Sequence, residues 1–185
     1  LEVWVLAEEF SERQGLVAKT ESAEFGLFAS GGRASFSVHL DGSYATAQDA
    51  GSLAVGVWTH LAGVFDGAQV RLFVDGRPVA RRPATGSRTR NDLPLLIGGD
   101  VDASGALASP LRGALDEVLL SRGARYAEPF SPDAPPPPAG EVLLSFGFDE
   151  RLPGWALDRS GRGAHGELLG GARLEPAALE GGQSN

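Results

Sequence analysis

At 185 residues the chain has the length of a single β-sandwich, enough to bury a core without covalent staples. It has no cysteine, which excludes a disulfide framework and thiolate chemistry, and its net charge of -8 argues against nucleic acid or an anionic membrane as partner. No apolar run approaches the roughly 20 residues of a membrane span, so membrane insertion is not expected.

Leu1 opens directly in strand-like sequence with no signal peptide, and methionine is absent, so the chain reads as a piece of a longer one. Residues 1–7 alternate, Val3 and Val5 on one face and Trp4 on the other, and predict a strand. Residues 16–18 and 24–29 predict two more around a polar turn. Gly31-Gly32 leads into 34–40, where Phe36, Val38 and Leu40 share a face, and Asp41-Gly42-Ser43 is a turn. A short strand is expected over 53–57, followed by a strand over 58–65, the turn Asp66-Gly67 and a second strand in which Val70, Leu72 and Val74 alternate with Arg71, Phe73 and Asp75. Asp75-Gly76 turns the chain again into Pro78-Val79-Ala80. Asp-Gly supplies the positive backbone angles of short hairpins, so this block is an antiparallel meander.

A basic polar loop follows over 83–92, an apolar strand over 93–97, a long Gly-, Ser- and Asp-rich loop over 98–110 and a strand over 111–120. Residues 131–140 form a connector whose prolines 135–138 make a rigid extended spacer unable to join a ladder. Beyond it come a strand over 142–148, the turn Asp158-Arg159-Ser160-Gly161, a short strand over 165–169 and a frayed tail over 179–185. The helical signal amounts to one turn at most, over 122–127. Short, regularly spaced strands divided by glycine turns predict an all-β sandwich or barrel.

The stretch from Trp58-Thr59-His60 to Asp75-Gly76 resembles the core signature of laminin-G-like domains, relatives of the concanavalin A-type lectins and glucanases. Leu1-Glu2-Val3-Trp4-Val5 is similar to an early strand of those domains, and Leu95-Leu96-Ile97-Gly98-Gly99 to the strand that opens their long loop. Gly113-Ala114-Leu115-Asp116-Glu117-Val118 is similar to their closing strand, and Ala124-Arg125-Tyr126 with Phe130-Ser131-Pro132 to its trailer. The resemblance implies an all-β fold, a two-sheet antiparallel jelly-roll β-sandwich of concanavalin A-like type, as one domain over residues 1–178.

One segment is out of order. Leu144-Ser145-Phe146-Gly147-Phe148-Asp149-Glu150 and Asp158-Arg159-Ser160-Gly161-Arg162-Gly163-Ala164-His165-Gly166 resemble the family's opening block, yet they come last. The segment either starts a second repeat or folds back beside the closing strand. First and last strands are expected to be neighbours in this fold, and Phe146, Phe148, Trp155 and Leu168 need a core to bury them. A truncated repeat would leave an apolar edge strand exposed. Residues 141–175 are therefore expected to complete the one domain as a permuted opening block.

Glucanase relatives carry carboxylates at alternate positions of one strand, where two act as nucleophile and acid/base. That pattern is missing here. Glu8-Glu9, Asp116-Glu117 and Asp149-Glu150 are adjacent pairs, which a strand turns to opposite faces, so no enzyme is expected. His39, His60 and His165 lack metal-binding spacing, and no Gly-x-Ser-x-Gly elbow is present. Structural calcium is the chemistry the residues favour. Asp100-Val101-Asp102-Ala103-Ser104-Gly105 begins like an acidic calcium loop, although Leu111 stands at the twelfth position, where an EF-hand has its bidentate glutamate. The resemblance places Asp116 where related sandwiches hold an ion, and Asp149 in the block packed beside it. Asp116, Asp149, Asp100 and Asp102 are thus the candidate ligands of a Ca²⁺ ion. A solvated loop is the competing account of Asp100 and Asp102, and a backbone hydrogen bond that of Asp116.

Trp4, Trp58 and Trp155 offer flat faces for sugar rings, with packing in the core or at an edge as the plainer account. Tyr44 and Tyr126 fall in or near loops. Arg77, Arg81, Arg82, Arg88 and Arg90 form a local basic patch suited to sulfated or uronic glycans, or else a solvated hairpin end. The resemblance implies a non-catalytic recognition or adhesion module that binds carbohydrate or a surface protein. It would be monomeric in isolation and belong to a larger secreted or cell-surface bacterial protein. The alternatives are a structural spacer or accessory domain beside a catalytic one, and last a glycoside hydrolase.

Overall fold

Period-two alternation along most of the chain gives each strand one apolar face, and two such faces close on each other. The computed structural model describes residues 1–10, 12–51, 53–133, 141–150 and 152–175. Its strands are β1 (Glu2–Ala7), β2 (Arg13–Lys19), β3 (Phe25–Ser30), β4 (Arg33–Leu40), β5 (Ser43–Gln48), β6 (Thr59–Phe65), β7 (Gln69–Val74) and β8 (Arg77–Pro83). After these come β9 (Leu96–Ile97), β10 (Asp100–Val101), β11 (Leu107–Ala108), β12 (Gly113–Arg122), β13 (Glu141–Phe146), β14 (Trp155–Ala156) and β15 (Gly166–Glu167). One sheet has six strands in the order β13-β12-β1-β6-β7-β8, and the other has five in the order β5-β4-β3-β2-β9. The pairs β10-β11 and β14-β15 are small hairpins, and the ladders are antiparallel throughout. This is the concanavalin A-like jelly-roll sandwich. No α-helix forms among the described residues, so none there is long and apolar enough to cross a membrane.

Val3, Val5, Leu61, Val70, Leu72 and Val118 enter the core from the six-stranded sheet, and Leu27, Phe36, Val38 and Leu40 from the other. Both Asp-Gly turns of the meander fall where the sequence puts them, Asp66-Gly67 between β6 and β7 and Asp75-Gly76 between β7 and β8. Asp66 Oδ1 accepts from the amides of Ala68 (2.9 Å) and Gln69 (2.8 Å) and so closes the first turn.

Four elements differ from the sequence reading. β5 is a strand where none is expected, and it puts Tyr44 in a ladder rather than a loop. Its inward residues are Ala45 and Ala47, too small to give a strand signal. Residues 53–57 form a turn instead of a strand, with Val55 and Val57 more than half exposed at 55% and 53%. Only Leu96–Ile97 of the 93–97 stretch joins the sheet, paired with β2. The 98–110 loop contains the β10-β11 hairpin.

β13 lies beside β12, pairing Val118 with Phe146 and Leu120 with Leu144. Leu144, Phe146 and Ala156 share the main core with Val118. Of the connector, residues 134–140 lie outside the described residues, as does the 179–185 tail. The trailer after β12 covers the outer face of the six-stranded sheet. There Tyr126 stacks on Phe130 at 3.6 Å, and the Phe130 amide donates to Gly76 O at 2.9 Å.

Candidate functional site

A cleft of about 520 Å³ lies where β1 begins and β6 and β12 end, lined by residues of both sheets and of the trailer after β12. Phe25, Phe36 and Val38 of the five-stranded sheet form its apolar floor with Leu120 and Leu143. Gly63, Val64 and Phe65 make one wall, and Arg88, Arg90, Arg122 and Arg125 stand around it. The Phe36 ring packs against the bare backbone of Gly63, where a Cβ would collide with it.

The arginines are placed by two stretches distant in sequence. Residues 87–91 are laced to the ends of β3 and β4. Asp41 Oδ1 accepts from Ser87 N (3.0 Å), Thr89 N donates to His39 O (3.1 Å), Glu24 N donates to Thr89 O (2.9 Å), and Asn91 Nδ2 donates to Thr20 O (2.5 Å). Arg88 pairs with Glu24 at 3.1 Å and lies 5.6 Å above the Phe25 ring. Arg90 has no acidic partner among the described residues. Arg122, at the end of β12, is 3.5 Å from Glu141. Arg125 is buried, donating to Ser121 Oγ at 2.6 Å and lying 3.8 Å from Glu2.

Glu2 is the one carboxylate lining the cleft among the described residues. It accepts from the Tyr126 hydroxyl at 2.9 Å. Burial, and then the Glu2 charge, push the Tyr126 hydroxyl well above the usual phenol range. His60 lies 3.7 Å from Glu2 and edge-on to Trp4 at 5.3 Å. Burial lowers its pKa to about 4 against the opposing pull of Asp75, so the imidazole is neutral at pH 7.

The four candidate calcium ligands occupy three separate settings. Asp100 is buried, taking Thr20 Oγ1 at 2.6 Å and Val101 N at 2.9 Å and pairing with Arg13 at 2.7 Å. Asp102 closes the β10-β11 turn, accepting from Ser104 N (2.8 Å), Ser104 Oγ (2.6 Å) and Ala106 N (3.0 Å). Asp116 accepts from Glu117 N at 2.8 Å, and burial, with Asp149 nearby, raises its pKa. Asp149 pairs with Arg159 at 2.8 Å, and Arg159 also reaches Glu150 at 2.7 Å. Among the described residues no three His, Asp or Glu side chains meet as a metal-holding group.

The aromatic candidates are also dispersed. Trp58 and Trp155 are 42% and 44% exposed on separate loops or hairpins, and Trp4 is half-buried. The basic patch splits in two. Arg77, Arg81 and Arg82 lie on the edge strand β8, while Arg88 and Arg90 line the cleft. Sequence reasoning missed Arg122 and Arg125 as partners of Arg88 and Arg90. No local signal announces them, because only the alignment of β12 with β1 brings them to the cleft.

A family model described as the concanavalin A-like lectin/glucanases superfamily matches residues 1–128. Among solved structures, a putative carbohydrate binding protein from Bacteroides ovatus is similar with a TM-score of 0.66 and 17% identity, covering 87% of this chain and 49% of that one. The chain thus spans about half the length of that relative. The CBM40 domain of the Ruminococcus gnavus IT-sialidase, also solved bound to α2,3-sialyllactose, is similar with a TM-score of 0.50 and 19% identity, over 60% of this chain and 68% of that one. At these identities the likeness shows the fold. No curated protein matches the chain significantly.

Proposed function

The chain belongs to the concanavalin A-like lectin/glucanase superfamily, and from that premise we propose that it is a non-catalytic carbohydrate-recognition module whose ligand enters the arginine-rimmed cleft. The observation that carries this reading is the cleft itself. It joins an apolar, aromatic floor to a few convergent polar groups, and hydrogen bonds already fix the loop that presents Arg88 and Arg90. Glycoside hydrolysis needs two carboxyl groups flanking the bond, whereas this cleft offers Glu2 alone among its described lining residues, already engaged by Tyr126. The carbohydrate-binding neighbours support the same class. We read the module as serving recognition or adhesion on a secreted or cell-surface protein. The same reading takes residues 141–175 as a permuted opening block of this domain, supported by the β12-β13 ladder.

Binding to an array of immobilised glycans tests the proposal, with Phe25→Ala and Arg90→Gln as site variants and Trp155→Ala as a control away from the cleft. The expected result is retention of a defined glycan class that both site variants weaken and the control leaves unchanged. Retention lost only in the Trp155 variant would move the site to the β14-β15 hairpin. No retention of any glycan would leave a structural spacer as the module's role.

A further inference from the structure

We propose that the cleft selects glycans that carry an acidic group, a carboxylate or a sulfate, received at its mouth by Arg88, Arg90 and Arg122. The inference rests on the cleft being the carbohydrate site and adds the chemical class of its ligand.

The charge distribution favours an anionic ligand. The chain as a whole carries -8, yet four arginines line the cleft against one carboxylate, Glu2. That carboxylate is held by Tyr126 and faces the buried Arg125, which leaves the other three guanidinium groups for a ligand. A neutral sugar would leave Arg90, which has no acidic partner among the described residues, uncompensated beside apolar surface, where charge interactions are screened less than in water.

The three arginines give up little on meeting a ligand. Arg90 has no acidic partner among the described residues and loses nothing. The Arg88 side chain is 41% exposed, and its partner Glu24 also lies 4.0 Å from Lys19. The Arg122 side chain is 75% exposed, and its partner Glu141 also pairs with Arg162. Arg122 can therefore turn toward a ligand while Glu141 keeps Arg162, and Arg88, which meets the buried Glu24 through Nε, can offer its terminal N–H groups without leaving that pair. Stranding a buried charge is the usual penalty when an ion pair opens, and an Arg88 that keeps Glu24 avoids it.

Guanidinium groups grip carboxylate and sulfate with paired N–H donors. Residues 88 and 90 line the same cleft from a strand-like loop that is already pinned, so binding orders little further chain.

Isothermal titration of the whole chain at low salt tests the proposal with tetragalacturonate, a heparin tetrasaccharide, galactotetraose and tetraglutamate. The expected result is that the two acidic glycans bind at least about ten-fold more tightly than galactotetraose. That advantage should shrink as salt rises and fall by about ten-fold in Arg90→Gln. Arg81→Gln on β8 should behave as wild type, and thermal unfolding of both variants should stay unchanged. Titration near pH 3 separates the two acid sources, since uronate binding weakens there and sulfate binding does not. Galactotetraose bound as tightly as the acidic glycans, without dependence on salt or Arg90, would overturn the acidic selectivity and leave the carbohydrate reading standing. No binding by any glycan would overturn both. Tetraglutamate bound as tightly as tetragalacturonate would overturn the glycan selectivity and reduce the cleft to a general anion site.

Discussion

Gly63 shows how closely single residues set this fold. It lies within β6, and its missing side chain is what lets the Phe36 ring cross from the opposite sheet and seat against the backbone. Gly63→Ala should destabilise the protein by about 1–3 kcal/mol, the usual range for overpacking, because the ring must leave its place. Urea unfolding at pH 7 measures this, and an unchanged midpoint would mean that the ring has room to move. Asp158 acts in a comparable way through hydrogen bonds. Burial alone would raise its pKa, but donors from Ser160, Ser145 and Ala164 outweigh that and hold it at about 2. A carboxyl whose folded value lies below the ordinary 3.8 stabilises the fold above that pH and loses the contribution as pH falls through about 2. The stabilisation at pH 7 is about 2 kcal/mol. Asp158→Asn should therefore be less stable than wild type at pH 7, with the gap closing toward pH 2. A gap that persists at pH 2 would assign the loss to shape rather than charge.

At the scale of elements, the C-terminal block is built as a unit and then attached. Asp158 Oδ1 takes Ser145 N at 3.0 Å, Arg159 N donates to Ser145 O at 2.7 Å, and Arg162 Nε donates to Val142 O at 2.9 Å. These bonds tie the turn around residue 160 to β13, and β13 then pairs with β12. Phe146 is 2% exposed and shares the core with Val118, so Phe146→Ala should cost about 3–5 kcal/mol in a single cooperative transition. Two separate transitions, with only the minor one shifted, would show an independent block rather than part of one domain. The meander was legible because its Asp-Gly turns have a backbone requirement that few other residues meet, and because β7 alternates Val70, Leu72 and Val74 without a break. β5 was not legible, since alanine fills its inward positions and carries little strand preference. Val55 and Val57 misled in the opposite sense. They look like a short strand, but the turn at Gly56, whose amide donates to Ala7 O at 2.8 Å, leaves both outside the ladders.

At the scale of the whole molecule, the cleft exists only once the sandwich has closed. Its lining comes from the starts of β1 and β3, from β4, β6 and β13, from the loop after β8, and from the end of β12 with the trailer after it. Local pattern in the sequence marked Arg88 and Arg90 as basic but grouped them with Arg77, Arg81 and Arg82, which the fold carries away to an edge strand. The acidic residues show the converse. Asp100 and Asp102 read as one loop, yet one side chain turns inward to Arg13 and Thr20 while the other caps its own turn. Asp116 and Asp149 lie near each other, with Arg159 paired to Asp149. Both oxygens of Asp100 are taken by Thr20 and Arg13, whereas the donors to Asp102 and Asp116 meet Oδ1 and Arg159 meets Asp149 through Oδ2, so each of these three keeps an oxygen for an ion. An ion at a hundred times its dissociation constant stabilises by about 2.7 kcal/mol. In a chain of this length that is a rise in Tm of roughly 5–10 °C. If the chain holds a structural calcium ion, thermal unfolding after chelation should show a rise of that size in millimolar calcium, and no rise would remove the ion from the account. A rise that Asp116→Asn abolishes would place an ion between β12 and the C-terminal block. A rise that survives Asp116→Asn and disappears in Asp102→Asn would place it in the β10-β11 turn.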